Sequence, residues 1–159
     1  MNIKNNNEVS SLRQLSGKSI HIFAENYNIP LRDLRAWESG AWDPPSFIPK
    51  LLRVIIKCEI IIGKNRIKEL EPDLDHLYQT YLGIDVNSSA PGEIITQTRK
   101  YFDLSKSQFS RVYGIPYTTL SEWENNRRVP KNYTITLLKK LIVYSKEIEG
   151  GSNEKNIYS

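Results

Sequence analysis

The sequence predicts an all-α protein in which one small helical unit occurs twice. Three observations carry that prediction. First, residues 27–44 read YNIPLRDLRAWESGAWDP and residues 113–130 read YGIPYTTLSEWENNRRVP. Identities fall at Tyr27/Tyr113, Ile29/Ile115, Pro30/Pro116, Leu34/Leu120, Trp37/Trp123, Glu38/Glu124 and Pro44/Pro130, every pair 86 residues apart. An internal repeat of this kind sets the architecture before any single residue does. Second, the residues that start and stop helices recur at the same offset. Third, Phe47, Leu51, Leu52, Ile55 and Ile56 lie at helical spacing, and Tyr133, Leu137, Leu138, Leu141 and Ile142 repeat them.

The first copy opens with a short helix expected near residues 8–15. Ser19 is a good N-cap for a second helix reaching about Tyr27. Asn28 takes the turn, where a left-handed residue is often required. Pro30 is expected to open the third helix as its first residue. Gly40 ends that helix in the left-handed conformation that glycine adopts without a Cβ penalty. Pro44 and Pro45 mark a loop, and a longer helix follows from about Ser46.

The second copy repeats the series, with Ser105 as the cap, Gly114 in the turn, Pro116 at the helix start and Asn126 in place of Gly40. Its first helix is expected near residues 93–102 and its last near 132–146. Between the copies, Glu71-Pro72-Asp73 suits a helix start, because acidic groups favour the positive end of the helix dipole. Leu74, Leu77, Tyr78, Tyr81 and Leu82 then form an apolar stripe. The stripe either packs on the repeats as core or forms a dimer or partner surface. Residues 83–92 read as a polar linker. The boundaries are therefore residues 7–62 and 91–148 for the two units, 63–90 for a connecting helix and linker, and 149–159 for a frayed, flexible tail.

Charge is unevenly spread over the chain of 159 residues, whose net charge is +4. Residues 91–148 carry ten basic and five acidic side chains, so the second copy is the basic one. A basic patch on a small domain favours a polyanionic partner. Cys58 is the only cysteine and lies in an apolar helical run, which reads as packing. The polar start lacks a signal-peptide core, and the most apolar stretch, residues 47–62, is broken by Lys50, Arg53, Lys57 and Glu59. A cytoplasmic protein with no membrane contact is expected.

Helix, short turn with Gly or Asn, helix is the helix-turn-helix arrangement. The residues Leu104-Ser105-Lys106, Phe109-Ser110, Gly114-Ile115, Thr119-Leu120-Ser121 and Trp123-Glu124-Asn125-Asn126, then Arg128 and Pro130, resemble the XRE family of phage Cro and lambda-repressor-like DNA-binding domains. The resemblance covers about 52 residues of the second copy and, more loosely, the same span of the first. It implies two tandem lambda-repressor-like helix-turn-helix domains joined by a helical linker. It also implies recognition helices over residues 30–39 and 116–125.

In that reading Tyr117, Thr118, Ser121 and Glu122 face the bases of the major groove. Glu122 either accepts from cytosine or is an ordinary solvated helix residue. Ser105 and Lys106 occupy positions at which the family touches the DNA backbone, and Arg127, Arg128 and Lys131 form a phosphate clamp. The resemblance further implies an ion pair between the first helix and the end of the recognition helix: Arg99 with Glu124, and Arg13 with Glu38.

The first copy keeps the scaffold and changes the face. Leu31, Arg32 and Arg35 are its base-contacting candidates, and arginine can grip guanine in two places. Ser19 is its phosphate candidate, but Ile20 stands where Lys106 stands in the second copy. Trp42 either anchors an interface or packs on its own domain or the linker.

An enzyme is the poorest class. His21 and His76 lack companions at metal-ligand spacing, no phosphate-binding glycine loop is present, and no cofactor or metal is expected. The leading expectation is a sequence-specific double-stranded DNA-binding transcriptional regulator, most simply a repressor. The alternative is an antitoxin or protein-inhibitor module in which one helix-turn-helix binds a toxin or another protein, or mediates self-association.

Overall fold

The computed structural model describes the backbone of residues 3–87 and 89–158 and the side chains of residues 8–87 and 89–151. Ser88 of the expected linker and Ser159 of the expected tail lie outside the described residues. Among the described residues the secondary structure is helical, in the order α1 (Ile3–Ser16), α2 (Ile20–Tyr27), α3 (Leu31–Ser39), α4 (Ile48–Ile62), α5 (Lys64–Leu70), a 3-10 turn (Glu71–Asp73), α6 (Leu74–Leu82), α7 (Pro91–Tyr101), α8 (Lys106–Tyr113), α9 (Tyr117–Glu124) and α10 (Asn132–Tyr158). The chain is all-α, as the repeat and its apolar spacing require.

The local signals act through identifiable bonds. The Ser19 hydroxyl accepts from Ile22 N at 3.3 Å and closes the start of α2. Ser105 does the same for Gln108 N at 3.1 Å, and the Gln108 side chain accepts from Ser105 N at 2.8 Å. That reciprocal pair is a capping box. Asn28 at φ 58° and Gly114 at φ 71° make the left-handed turns, and Gly40 at φ 86° and Asn126 at φ 58° follow α3 and α9.

Pro30 and Pro116 are not the first helical residues. Each has a ψ near the extended range, 131° and 135°, and stands one place ahead of its helix. The ring fixes φ but leaves ψ free. The carbonyl of each proline still accepts the first helical hydrogen bond, from Leu34 N and Leu120 N at 3.0 Å.

Three other spans differ from expectation. Helix α1 begins at Ile3, ahead of the expected start. Helix α5 was not expected and fills the space between α4 and the 3-10 turn. Helix α10 continues to Tyr158, so residues 149–158 of the segment expected as a frayed tail are helical.

The two copies share one core. Buried residues of both, from Val9 to Tyr144, form a single apolar cluster. Helix α4 packs along α10, its repeat counterpart. The cross-copy contacts are reciprocal. Trp37 meets Tyr133 edge-on, with ring centroids 5.6 Å apart, and Trp123 meets Phe47 edge-on at 5.4 Å. Positions 37 and 123 are repeat partners, as are 47 and 133. Asn28 Nδ2 donates to Thr136 Oγ1 at 3.4 Å, and of their repeat partners the Lys50 side chain lies where a β-carbon on Gly114 would meet it. When i meets j and j's counterpart meets i's counterpart, the interface is two-fold and isologous. Here one chain builds it. Each edge-on aromatic pair adds roughly 0.5–1.5 kcal/mol beyond its buried area.

The connecting segment touches both copies: α5 packs on α4 of the first, and α6 covers the second. Helix α6 packs on α10 and α7. Tyr78 is fully buried, and its hydroxyl lies 2.9 Å from Thr98 Oγ1. Leu74, Leu77, Tyr81 and Leu82 are partly buried against the core, so the stripe packs inward. Lys140, only 1% exposed, reaches Glu71 Oε1 at 2.5 Å, and Tyr144 donates to the same oxygen at 3.1 Å. Arg66–Glu147 at 2.7 Å and Lys139–Asp75 at 3.0 Å pin the segment from outside. Among the described residues no helix is long and apolar enough to cross a membrane.

Candidate nucleic-acid interface

Helices α3 and α9 are presented by the same device. The inner face of α3 buries Leu34 and Trp37, and that of α9 buries Leu120 and Trp123. Ile29 and Ile115 plug the preceding turns, and both are buried. In the second copy the Ser110 hydroxyl donates to Ile115 O and ties the turn to α8. The far end of each helix is held by an ion pair. Arg13 Nη2 lies 2.9 Å from Glu38 Oε1, and Arg99 Nη2 lies 2.9 Å from Glu124 Oε1. Both arginines add a second bond through Nε at 2.9 Å, so both pairs are bidentate.

The second pair is deeper and better supplied. Its side chains are 14% and 5% exposed, against 23% and 12% in the first. Thr96 Oγ1 also donates to Glu124, and Arg99 Nη1 donates to Leu104 O, each at 2.9 Å. Hydrogen bonding to its glutamate raises each arginine above the ordinary guanidinium pKa, and burial opposes the rise.

With one face locked, the opposite face is open. On α9, Tyr117 is 51% exposed and Thr118 is exposed, while Ser121 and Glu122 are half-buried. On α3, Arg32 and Arg35 are exposed, and Leu31 is half-buried against the core. At the start of α8, Lys106 is half-exposed, with no ion-pair partner among the described residues. The Ser19 and Ser105 hydroxyls accept cap bonds and keep their own protons for an external acceptor. Arg127, Arg128 and Lys131 are exposed in the loop after α9.

Two pairings alter the expected roles. Glu122 Oε2 lies 3.1 Å from Arg128 Nε, so this acid and this base answer each other. At the matching place in the first copy, Trp42 is 46% exposed and lies under the Arg32 guanidinium, 6.0 Å from ring centroid to Cζ. Trp42 therefore leans on α3 of its own copy.

Two clefts follow the interface between the copies. One runs between Pro30, Arg32 and Asp33 and the segment Lys131–Asn132; the other lies among Pro116, Thr119, Arg128 and Pro45. Lys131 and Tyr133 line both. Lys131 thus stands between the starts of α3 and α9. Lys131, Arg32, Arg35 and Arg127 are exposed cations and Lys106 is half-buried; Asp33 and Glu25 share the first cleft with Arg32 and Lys131.

A scan against protein-family models, a search of curated proteins and a search of solved structures each returned no match.

Several residues that shape this surface were not expected. Gly92, read as linker, lies in α7 and is buried against the end of α9. Its N donates to Asn126 Oδ1 at 3.0 Å, which fixes the start of the basic loop. No local sequence signal marks that contact. Gln108, by contrast, was legible as the fourth residue of an S-x-x-Q box. His21 and His76 are exposed on α2 and α6.

Proposed function

We propose that this protein is a two-headed, sequence-specific double-stranded DNA-binding regulator with tandem helix-turn-helix units of the XRE type, acting as a repressor. The observation that carries the reading is the doubled device. Helices α3 and α9 have the same buried Leu and Trp, the same terminal ion pair and open outer faces. Reciprocal contacts across the interface hold the two in fixed relation. A rigid helix with an open polar face, flanked by cations, is what major-groove reading requires. The cations Lys106, Arg127 and Lys131 serve phosphate, which positions without reading sequence. Against the antitoxin or protein-inhibitor alternative, the α6 stripe packs inward on the core. What still favours that alternative is exposed apolar side chains, Trp42, Ile60 and Ile61 among them.

The test is fluorescence anisotropy of the purified chain on a labelled duplex from upstream of its own gene, across a salt series. Tight binding that falls steeply with salt is the expected result, because bound phosphates release counterions. Arg127→Ala/Lys131→Ala is expected to weaken binding and to flatten the log–log salt slope by about 2, roughly one per lost phosphate contact. Binding no tighter than to a scrambled duplex, with an unchanged slope in the variant, would refute the reading.

A further inference from the structure

We infer that the two heads read different base chemistry, so that one chain takes a non-palindromic duplex in a single orientation, with guanines under α3 and thymine-bearing pairs under α9. This rests on the DNA-binding reading above and goes beyond it.

The α3 head is built for guanine. The Arg32 side chain is 86% exposed, and Arg35 is exposed one turn on. Trp42 supports the Arg32 guanidinium from one side, and Asp33 lies 3.7 Å from its Nε, too far for a hydrogen bond. The Nη edge of the fork is left open. A planar fork of donors matches the O6 and N7 acceptors of guanine.

The α9 head lacks that chemistry. Thr118 and Ser121 stand where Arg32 and Arg35 stand in the first copy. Its acid, Glu122, is held by Arg128 at 3.1 Å, which draws the carboxylate toward the loop and away from a cytosine amine. What remains open is the phenol of Tyr117 and the methyl and hydroxyl of Thr118. Apolar contact of this kind suits the thymine methyl.

The supports are exchanged as well as the reading residues. Trp42 and Ala36 are the repeat partners of Arg128 and Glu122. In the first copy the loop residue props an arginine; in the second it restrains a glutamate. The shared core fixes which head lies on which side, because Trp37–Tyr133 and Trp123–Phe47 are contacts within one chain. Inverting one half-site therefore cannot be answered by rotating one head.

The experiment is selection of bound duplexes from a random pool by the full chain, beside Arg32→Ala/Arg35→Ala and Trp42→Ala. The substituted side chains are exposed, and circular dichroism checks that each variant is folded. The expected wild-type site is non-palindromic, with guanine preference confined to one half. Arg32→Ala/Arg35→Ala is expected to lose that preference alone, by roughly tenfold to a hundredfold per guanine, and Trp42→Ala to weaken it. Duplexes made of two like halves are expected to bind at least about tenfold more weakly than the selected site. A palindromic site, or a guanine preference that survives Arg32→Ala/Arg35→Ala, would overturn the inference and leave DNA binding standing. No enrichment of any sequence would overturn both.

Discussion

Truncating Arg99 to alanine is expected to destabilise the chain by about 3 kcal/mol, and truncating Arg13 by about half as much. The difference comes from what each glutamate keeps. Without Arg99, Glu124 is a carboxylate only 5% exposed whose remaining partner is the Thr96 hydroxyl. Breaking a buried ion pair by removing one member costs about 3–5 kcal/mol, because the other charge is stranded. The 14% exposure of Arg99 admits some water and places the cost near the lower end, about 3 kcal/mol. Glu38 is 12% exposed and its arginine 23%, so more of its solvation returns. Arg13 also makes the longer carbonyl contact, 3.3 Å to Lys18 O against 2.9 Å from Arg99 to Leu104 O.

Because both copies share one core, either loss is expected to appear in a single global transition. At about 2–4 °C per kcal/mol for a chain of this size, Arg99→Ala lowers Tm by roughly 6–12 °C. The assay is urea and thermal unfolding followed by circular dichroism, with a double-mutant cycle over Arg99→Ala and Glu124→Ala. A coupling energy of about 2–3 kcal/mol is expected for groups in direct contact. A coupling below about 0.5 kcal/mol, or a larger cost for Arg13→Ala than for Arg99→Ala, would refute the reasoning.

Three further outcomes follow from the packing. Gly92→Ala is expected to cost about 2 kcal/mol, as overpacking does, because its β-carbon would lie 2.5 Å from Trp123 O and 2.9 Å from Glu124 O. Gly150→Ala, with nothing within 4 Å, serves as the control, and thermal melts compare them. Lys140→Met is expected to cost about 1 kcal/mol and Lys140→Ala about 3. Methionine keeps the buried stem, and Glu71, 32% exposed, still accepts from Tyr144; equal costs in urea titrations would argue against this. Burial raises the Tyr78 phenol from 10.0 to about 12, with the Thr98 hydrogen bond opposing the rise. The folded state therefore favours the neutral phenol. Its contribution is complete below pH 10.0 and is lost as pH climbs through about 12. Tm measured across that range is expected to fall, and less steeply in Tyr78→Phe; identical profiles would exclude Tyr78 as a source.

By itself, the sequence determined what depends on near neighbours. Ser19 and Ser105 cap because a hydroxyl meets an amide three residues on. Gly40 and Gly114 turn left-handed because they lack a Cβ, and Asn28 and Asn126 because a short polar side chain tolerates it. The apolar spacing of residues 47–56 and 133–142 made them inner faces of helices, and the constant offset made the chain a doubled all-α unit. Tertiary structure decided everything that needed two distant surfaces to meet. It turned the two copies into one core through Trp37–Tyr133 and Trp123–Phe47. It buried Lys140 against Glu71, 69 residues away, although its repeat partner is Val54. It also set Gly92 against the end of α9 and tied Glu122 to Arg128. A hydrogen bond within one turn is written in adjacent letters. Complementarity between side chains far apart in sequence is not, because it depends on shape and charge that exist only once the helices have packed.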